Sequence, residues 1–520
     1  MKKFIVLVLA GLSVMAFGAI VYAQAPKMEF KASGFIDAIG VYNENVPRYG
    51  SASGIFQVTN PDYGSPVADK KALNKEQTFW TMRGRLKFDA IVDKNLSGTI
   101  FFEMDSTRWG DIPGATGSKL ATKDQLGYWT ADRNSLEIKN LYIDFGLPYI
   151  GIPVPMGFRV GSQPLAIRPN LMVYSDGMGI TFNVDLSPVK AQAMWFKALE
   201  GKDWAADDVT VYGIQANAKI ATFTVGGYGL YYNMQSYPFT VATAVSPVLA
   251  GIPSLYGLIQ GTNQSQMWWL GVFADGKAGP VNLNADFIYD TGKVESRLTP
   301  GVKDVDYDGW LGYLKIDYPW EKFNFGAVGM YASGADAKKT SKTGLPGSAT
   351  AYNAAVASTK VTSYVVPPGS EAGPIFQEAL VVYNGFHGDS EPLGIADNAN
   401  YNALSRGSVG GTAMLKAYGT VKATPWYKVT LQGLYVWDTT KNGTTFGTAV
   451  KPDGSLRSDK NIGFEMDLIN EIAMYKNLSW FVGGGYLWAG DALDLKHPSG
   501  NYNFSPNNPW VIATKLLFTF

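Results

Sequence analysis

The sequence predicts an all-β fold: a transmembrane antiparallel β-barrel of about 18 strands (16–20), with short periplasmic turns and long extracellular loops. Three observations predict it. Segments of about ten residues alternate apolar and polar side chains. The connections between them alternate short and long. The last segment keeps its alternation up to a terminal phenylalanine, Phe520. Composition agrees. Charged residues make up 17% of the chain, against roughly 25% in an ordinary soluble domain. Aromatic residues reach 13%, and glycine accounts for 58 of 520 positions.

At the N-terminus, Lys2 and Lys3 precede an uncharged stretch from Phe4 to Tyr22, and Val21-Tyr22-Ala23 supplies compact residues before a cut after Ala23. Residues 1–23 are expected to be a cleaved secretory signal peptide, and 24–520 a single exported barrel. An uncleaved anchor helix is the alternative, because the stretch is long enough to span a bilayer. No other apolar run has that length. With 44 basic and 44 acidic side chains, the chain is no general polyanion or nucleic-acid binder. No cysteine and two histidines exclude a disulfide framework, a thiolate zinc site and covalent haem attachment.

Strands are expected near 28–42, 77–92, 96–109, 135–146, 155–167, 177–186, 188–199, 207–221, 222–235, 265–275, 280–292, 307–318, 322–333, 410–424, 427–438, 459–475, 477–490 and 508–520. From Trp80 to Val92 one face carries Trp80, Met82, Gly84, Leu86, Phe88, Ala90 and Val92. The other carries Thr81, Arg83, Arg85, Lys87, Asp89 and Ile91. The same alternation sets Tyr212, Ile214 and Ala216 against Gln215 and Asn217, Phe287 and Tyr289 against Asp286, and Ile462, Phe464, Met466 and Leu468 against Gly463, Glu465 and Asp467. Lipid offers backbone groups no hydrogen-bond partner, so such a sheet has to close on itself. Short links such as Asp93-Lys94-Asn95, Gly276-Lys277-Ala278-Gly279 and Tyr475-Lys476-Asn477 alternate with long loops near 43–76, 110–134, 236–264, 334–409 and 439–458. A soluble sandwich has no reason to lengthen every other loop.

On these residues the chain resembles Gram-negative outer-membrane porins. The final strand, Trp510 to Phe520, ends on Phe as theirs does. Arg83-Gly84-Arg85-Leu86-Lys87-Phe88, followed by Phe102-Glu103-Met104-Asp105, resembles the second hairpin of large porins. Ile462-Gly463-Phe464-Glu465-Met466-Asp467-Leu468 with Gly485-Tyr486-Leu487-Trp488 is similar to the closing hairpin of alginate-export-like porins. The resemblance implies an outer-membrane location and a water-filled pore for passive diffusion of small hydrophilic solutes or ions. It also implies that Phe518 and Phe520 form the signal read by the barrel assembly machinery.

Inward side chains decide what passes. Arg83, Arg85, Lys87, Glu103, Asp105, Arg159, Glu465 and Asp467 are the candidate pore-lining selectivity residues, because rows of charge select ions and orient dipolar solutes. Both signs occur, so no anion or cation preference follows from a tally. Loop 334–409 is too long for a passive link; it either folds into the mouth as a constriction or caps the outside. Loop 236–264 lies in a stretch without charge from Ile220 to Ala274, which suits a partner surface, a subunit contact in a homotrimer, or packing on its own barrel.

Motifs for chemistry fail. Gly271 to Lys277 has the opening spacing of a phosphate loop, but Ala278 stands where a magnesium-binding hydroxyl is needed. Asp304, Asp306 and Asp308 have the opening spacing of a calcium loop, yet its twelfth position is Lys315; they form a weak Ca²⁺ candidate. No catalytic residue, cofactor or enzymatic activity is expected. Expected partners are outer-membrane lipid, the assembly machinery and small hydrophilic solutes. Alternatives are a sheath or docking platform for an electron-transfer cytochrome, and an exporter or channel specific for a polysaccharide or an organic acid.

Overall fold

A computed structural model describes residues 28–45, 59–60, 65–66, 77–109, 136–147, 155–201, 207–236, 263–296, 304–337, 347, 359–370, 379–382, 409–444, 447, 449–496, 502–505 and 507–520. The expected signal peptide, both histidines and most of the loops near 43–76, 110–134 and 236–264 lie outside the described residues.

Eighteen strands form the wall: β1 Glu29–Glu44, β2 Gln77–Asp93, β3 Leu96–Arg108, β4 Glu137–Gly146, β5 Met156–Ile167, β6 Val173–Leu186, β7 Val189–Leu199, β8 Val209–Ile220, β9 Phe223–Met234, β10 Asn263–Ala278, β11 Val281–Ser296, β12 Val305–Trp320, β13 Phe323–Ala332, β14 Thr412–Thr424, β15 Tyr427–Asp438, β16 Asn461–Tyr475, β17 Leu478–Ala489 and β18 Trp510–Thr519. Each pairs antiparallel with its sequence neighbour. Closure comes from β1, where Gly40 lies opposite both Trp80 of β2 and Thr514 of β18. No wall strand is left with an open edge, the condition that hydrocarbon imposes on a sheet.

Outside, side chains alternate as the sequence predicts. Leu141, Ile214, Val272, Leu314 and Leu431 are exposed on the outer face. Such a continuous apolar surface would be untenable in water and fits lipid. Aromatic residues bound it. Towards the extracellular loops, Trp80 stacks on Trp109, Tyr231 on Trp268, Trp310 on Tyr331 and Tyr435 on Trp437. Towards the short turns stand Trp320 on Phe323, and Phe518 beside Phe520. Trp310 and Trp320 bracket one strand crossing, which for a strand tilted by about 40° spans roughly 25 Å, the height of an outer-membrane apolar band.

Three local differences from the expected strands have physical causes. The β10–β11 turn is Gly279-Pro280, because Gly279 adopts φ +60° and pairing runs to Ala278 opposite Val281. A β-bulge at Gly463, φ +152°, shifts the β15–β16 register between Val436 and Trp437, so Ile462 is buried instead of facing lipid. Strand β6 begins at Val173, earlier than the alternation suggested, for a reason that bears on the lumen.

Leu314 sits between the two aromatic girdles and is 45% exposed on the outer face. Leu314→Arg is expected to destabilise the barrel by about 2–4 kcal/mol, measured by denaturant unfolding in lipid vesicles; Lys315→Ala on the inner face should cost much less.

Candidate functional site: a constriction inside the barrel

The β5–β6 hairpin does not stay in the wall. Pairing of β4 with β5 stops at Leu141 opposite Ser162, and pairing of β6 with β7 begins only at Met178 opposite Lys197. Between them, β5 and β6 pair only with each other, from Gln163 opposite Gly177 to Ile167 opposite Val173. Pro164, which has no N–H to give, stands where β5 no longer pairs with β4. Gly161, one residue before the separation, has φ +134°, and a Cβ there would lie 2.2 Å from the Leu141 carbonyl oxygen. The tip leans into the lumen, where Leu165, Ile167, Met172 and Val173 are buried together with inward residues such as Phe196, Leu230 and Trp269. Part of the lumen is therefore a packed apolar core.

Arg168 fixes the far end of this tip. Its guanidinium donates to Asp275 of β10 at 2.7 and 3.2 Å, reaches Asp286 of β11, and lies 4.5 Å above the Phe273 ring. Two carboxylates and an aromatic face thus hold a side chain that belongs to a hairpin on another part of the wall. A forked guanidinium is suited to this, since it can serve two acceptors at once.

The loop joining β13 to β14 meets the tip. Its segment Lys360–Val361 pairs in parallel with Asp306 and Tyr307 of β12, above the point where β13 stops. The chain then turns inward. The Tyr364 N–H donates to the Ser333 carbonyl at 2.9 Å; the Val365 N–H donates to Asp290 at 3.3 Å, and the Val365 carbonyl accepts from the Trp269 indole at 2.8 Å. Next it reaches the hairpin: the Tyr364 hydroxyl donates to the Leu171 carbonyl at 2.8 Å, and the Ser370 hydroxyl to the Met172 carbonyl at 3.0 Å. Further on, the N–H groups of Val381 and Val382 donate to the two oxygens of Glu465 at 2.8 and 2.7 Å, and that of Leu380 donates to Asp467 at 3.4 Å. The loop thus touches β10–β12, the hairpin tip and β16, and forms a strap inside the mouth. Buried backbone donors need acceptors, and inward carboxylates of the wall supply them.

A charged patch lies on the wall beside the tip. Glu103 accepts a hydrogen bond from Arg85 at 2.9 Å through one oxygen, which also lies 3.2 Å from Arg83 Nε, and pairs with Lys139 at 3.1 Å through the other. Lys139 also reaches Asp176 of the hairpin tip at 2.7 Å, and Asn140 donates to the same carboxylate at 2.7 Å. Lys139 and Asn140 can both contribute because β4 is bulged: Phe101 lies opposite Asn140, and Phe102 opposite Ile138. The patch has three basic and two acidic members. Fixed charges of this kind set a transverse field across a water path.

Of the residues singled out from sequence, Arg83, Arg85 and Glu103 come together: Arg85 lies opposite Glu103, and Arg83, at a shift in the ladder between Met82 and Gly84, reaches the same carboxylate. Lys87 pairs with Asp89 at 2.9 Å, nearer the short turns. Arg159 makes a two-pronged contact with Asp144 at 2.8 and 3.0 Å and lies 4.1 Å over the Tyr142 ring. The side chain of Asp105 lies outside the described residues. Glu465 and Asp467 face inward but are covered by the strap, with exposures of 0% and 1%, so they hold the loop rather than line open water. Asp304 pairs with Lys293 at 2.7 Å and Asp308 with Lys360; among the described residues no cluster of three acidic or histidine side chains could hold a metal ion. Lys139, Asp176, Arg168 and Asp290 were not anticipated. Pro164 was the one available signal, a breaker inside an otherwise regular strand.

No family model and no curated protein matches the sequence. Among solved structures, OccK8 (OprE) of Pseudomonas aeruginosa is similar with a TM-score of 0.47 at 10% identity, covering 96% of this chain and 99% of that one. OpdK of the same organism, solved with vanillate, gives 0.46 at 8% identity, covering 94% and 98%. The loop-L8 deletion form of OmpT from Vibrio cholerae gives 0.37 at 8% identity, covering 95% and 100%. Closure and the girdled apolar belt of this chain define an outer-membrane β-barrel of porin size.

Glu465→Ala removes the acceptor of two strap N–H groups, each bond to a charged group contributing about 1.5–3 kcal/mol. Proteolysis within 359–382 on the reconstituted protein is expected to be at least about tenfold faster than in the unaltered chain. The barrel itself should keep its resistance to denaturant.

Proposed function

We propose that the chain is a channel for passive diffusion of small hydrophilic solutes or ions across the outer membrane, with its cross-section set by the strap and the β5–β6 tip. The observation that carries this is the strap itself, docked by its backbone onto wall carboxylates at Asp290, Glu465 and Asp467. An 18-stranded wall encloses more space than its own side chains fill, and a strap held at several points narrows that space without sealing it. Arg83, Arg85, Lys139, Glu103 and Asp176 are the electrostatic filter beside the narrowed path; Arg83, Lys139 and Glu103 are largely buried, so the patch acts on solute through its field rather than by contact. Phe518 and Phe520, at the end of the lipid-facing β18, serve as the assembly signal.

A sheath for a folded cytochrome is less well supported. It needs a lumen wide and clear enough for a protein domain, whereas segments 359–370 and 379–382 lie inside the lumen and contact the wall at strands as far apart as β10 and β16. An organic-acid or polysaccharide channel would draw on the basic members of the patch, and the acidic partners Glu103 and Asp176 oppose a strong anion preference.

Purified protein in a planar bilayer is expected to give discrete, stable openings in potassium chloride. Removing 362–382 should raise the single-channel conductance several-fold, and Arg83→Glu with Arg85→Glu should move the zero-current potential in a salt gradient towards cation preference. A well-folded barrel that never conducts would overturn the reading.

A further inference from the structure

The periplasmic end of the lumen differs chemically from the charged patch. There β6, β7 and β8 lie side by side, with Asn183 opposite Gln192 and Gln192 opposite Gln215. Strand alternation turns all three amides inward, since Phe182, Ala191, Ala193, Ile214 and Ala216 belong to the opposite, lipid-facing parity. The amides bond in a row. Gln215 Nε2 donates to Gln192 Oε1 at 2.6 Å, and Gln192 Nε2 donates to Asn183 Oδ1 at 2.7 Å. The next rung towards the turns holds Asp185, Lys190 and Asn217, in which Lys190 lies 3.7 Å from Asp185 and the charges offset each other.

These six side chains line an open-sided cavity of about 650 Å³ at the inner rim, within the size range of small-molecule sites. Each amide keeps hydrogen-bonding capacity after the row is formed: Asn183 has both its N–H bonds, Gln215 its oxygen, and Gln192 and Gln215 one N–H each. Donors and acceptors therefore alternate along a surface with no uncompensated charge. Vicinal hydroxyls, each at once a donor and an acceptor, match such a row. A carboxylate or an ammonium finds only one half of its needs there. The hydrogen bonds along the row hold the amides in fixed orientation, so a ligand does not have to order them.

We propose that this row is an exit subsite for uncharged polyhydroxylated solutes, of the size of a di- or trisaccharide, on the periplasmic side of the channel. The inference rests on the reading of the lumen as a conduit. It deepens that reading by separating two functions along the path: the charged patch filters near the constriction, and the amide row receives neutral solute beyond it.

The test is current block in a planar bilayer. Raffinose is added to the periplasmic side of the full-length protein, and polyethylene glycol of equal hydrodynamic size, which has acceptors along its length but almost no donors, serves as the volume control. Raffinose should reduce the current in a saturable manner beyond the polymer's effect. Gln192→Ala with Gln215→Ala should weaken that block by about fivefold, as expected for the loss of one or two neutral hydrogen bonds, with the conductance in potassium chloride alone little changed. Gln192→Asn should retain part of the block. Raffinose acting no differently from the polymer, or blocking the double variant as it blocks the unaltered channel, overturns the inference and leaves the channel reading standing. Absence of any current in potassium chloride overturns the channel reading and this inference with it.

Discussion

Backbone N–H and C=O groups have no partner in hydrocarbon, and the rest of the structure follows from that constraint. It requires β1 to pair with β18 as well as β2. Closure at eighteen strands then sets the next problem: the ring is wider than its inward side chains can fill. The chain deals with the excess space from within. The β5–β6 tip packs an apolar core against Phe196, Leu230 and Trp269, and the strap occupies the mouth. What the lipid demands at the wall thus determines what the loops have to do inside it.

The inward carboxylates take on different tasks according to what meets them. Glu465 and Asp290 meet backbone donors of the strap and act as docking points. Glu103 meets Arg83, Arg85 and Lys139, and Asp176 joins that group from the hairpin tip. Asp275 and Asp286 meet Arg168. Buried charge is costly unless paired or bonded, and for Glu465, Asp290, Asp176, Asp275 and Asp286 the partner comes from another part of the chain. These contacts therefore fix the geometry of the constriction rather than merely keeping the wall wetted.

Strand positions and faces were legible in the sequence because an eighteen-strand barrel repeats one simple rule, apolar outside and polar inside, and lengthens every other connection. That Arg83 and Arg85 share the inward face and meet acidic residues of the partner strand could be read for the same reason; that both meet Glu103 could not, because the ladder shifts between Met82 and Gly84 and leaves Arg83 without a register partner. Bulges broke the rule. A single extra residue at Gly463 turned Ile462 inward, and another in β4 brought Lys139 into the lumen; alternation cannot foresee an insertion of one. The tasks of Glu465 and Asp467 were hidden because they depend on a loop more than 80 positions away in sequence. Pro164 was a readable sign that β5 leaves the wall, and its meaning came only with the register of β4.

The strap lies docked against the hairpin tip through Tyr364 and Ser370, and a covalent link tests that contact in the membrane-embedded protein. The chain has no cysteine, so a pair can be introduced cleanly. The Ser370 hydroxyl lies 3.0 Å from the Met172 carbonyl, and Met172→Cys with Ser370→Cys, oxidised in reconstituted vesicles, would report that contact directly. Rapid and complete cross-linking, with conductance close to that of the unlinked channel, is the predicted result. Failure to cross-link, or a cross-link that abolishes the current, would contradict a strap that is docked in the conducting state.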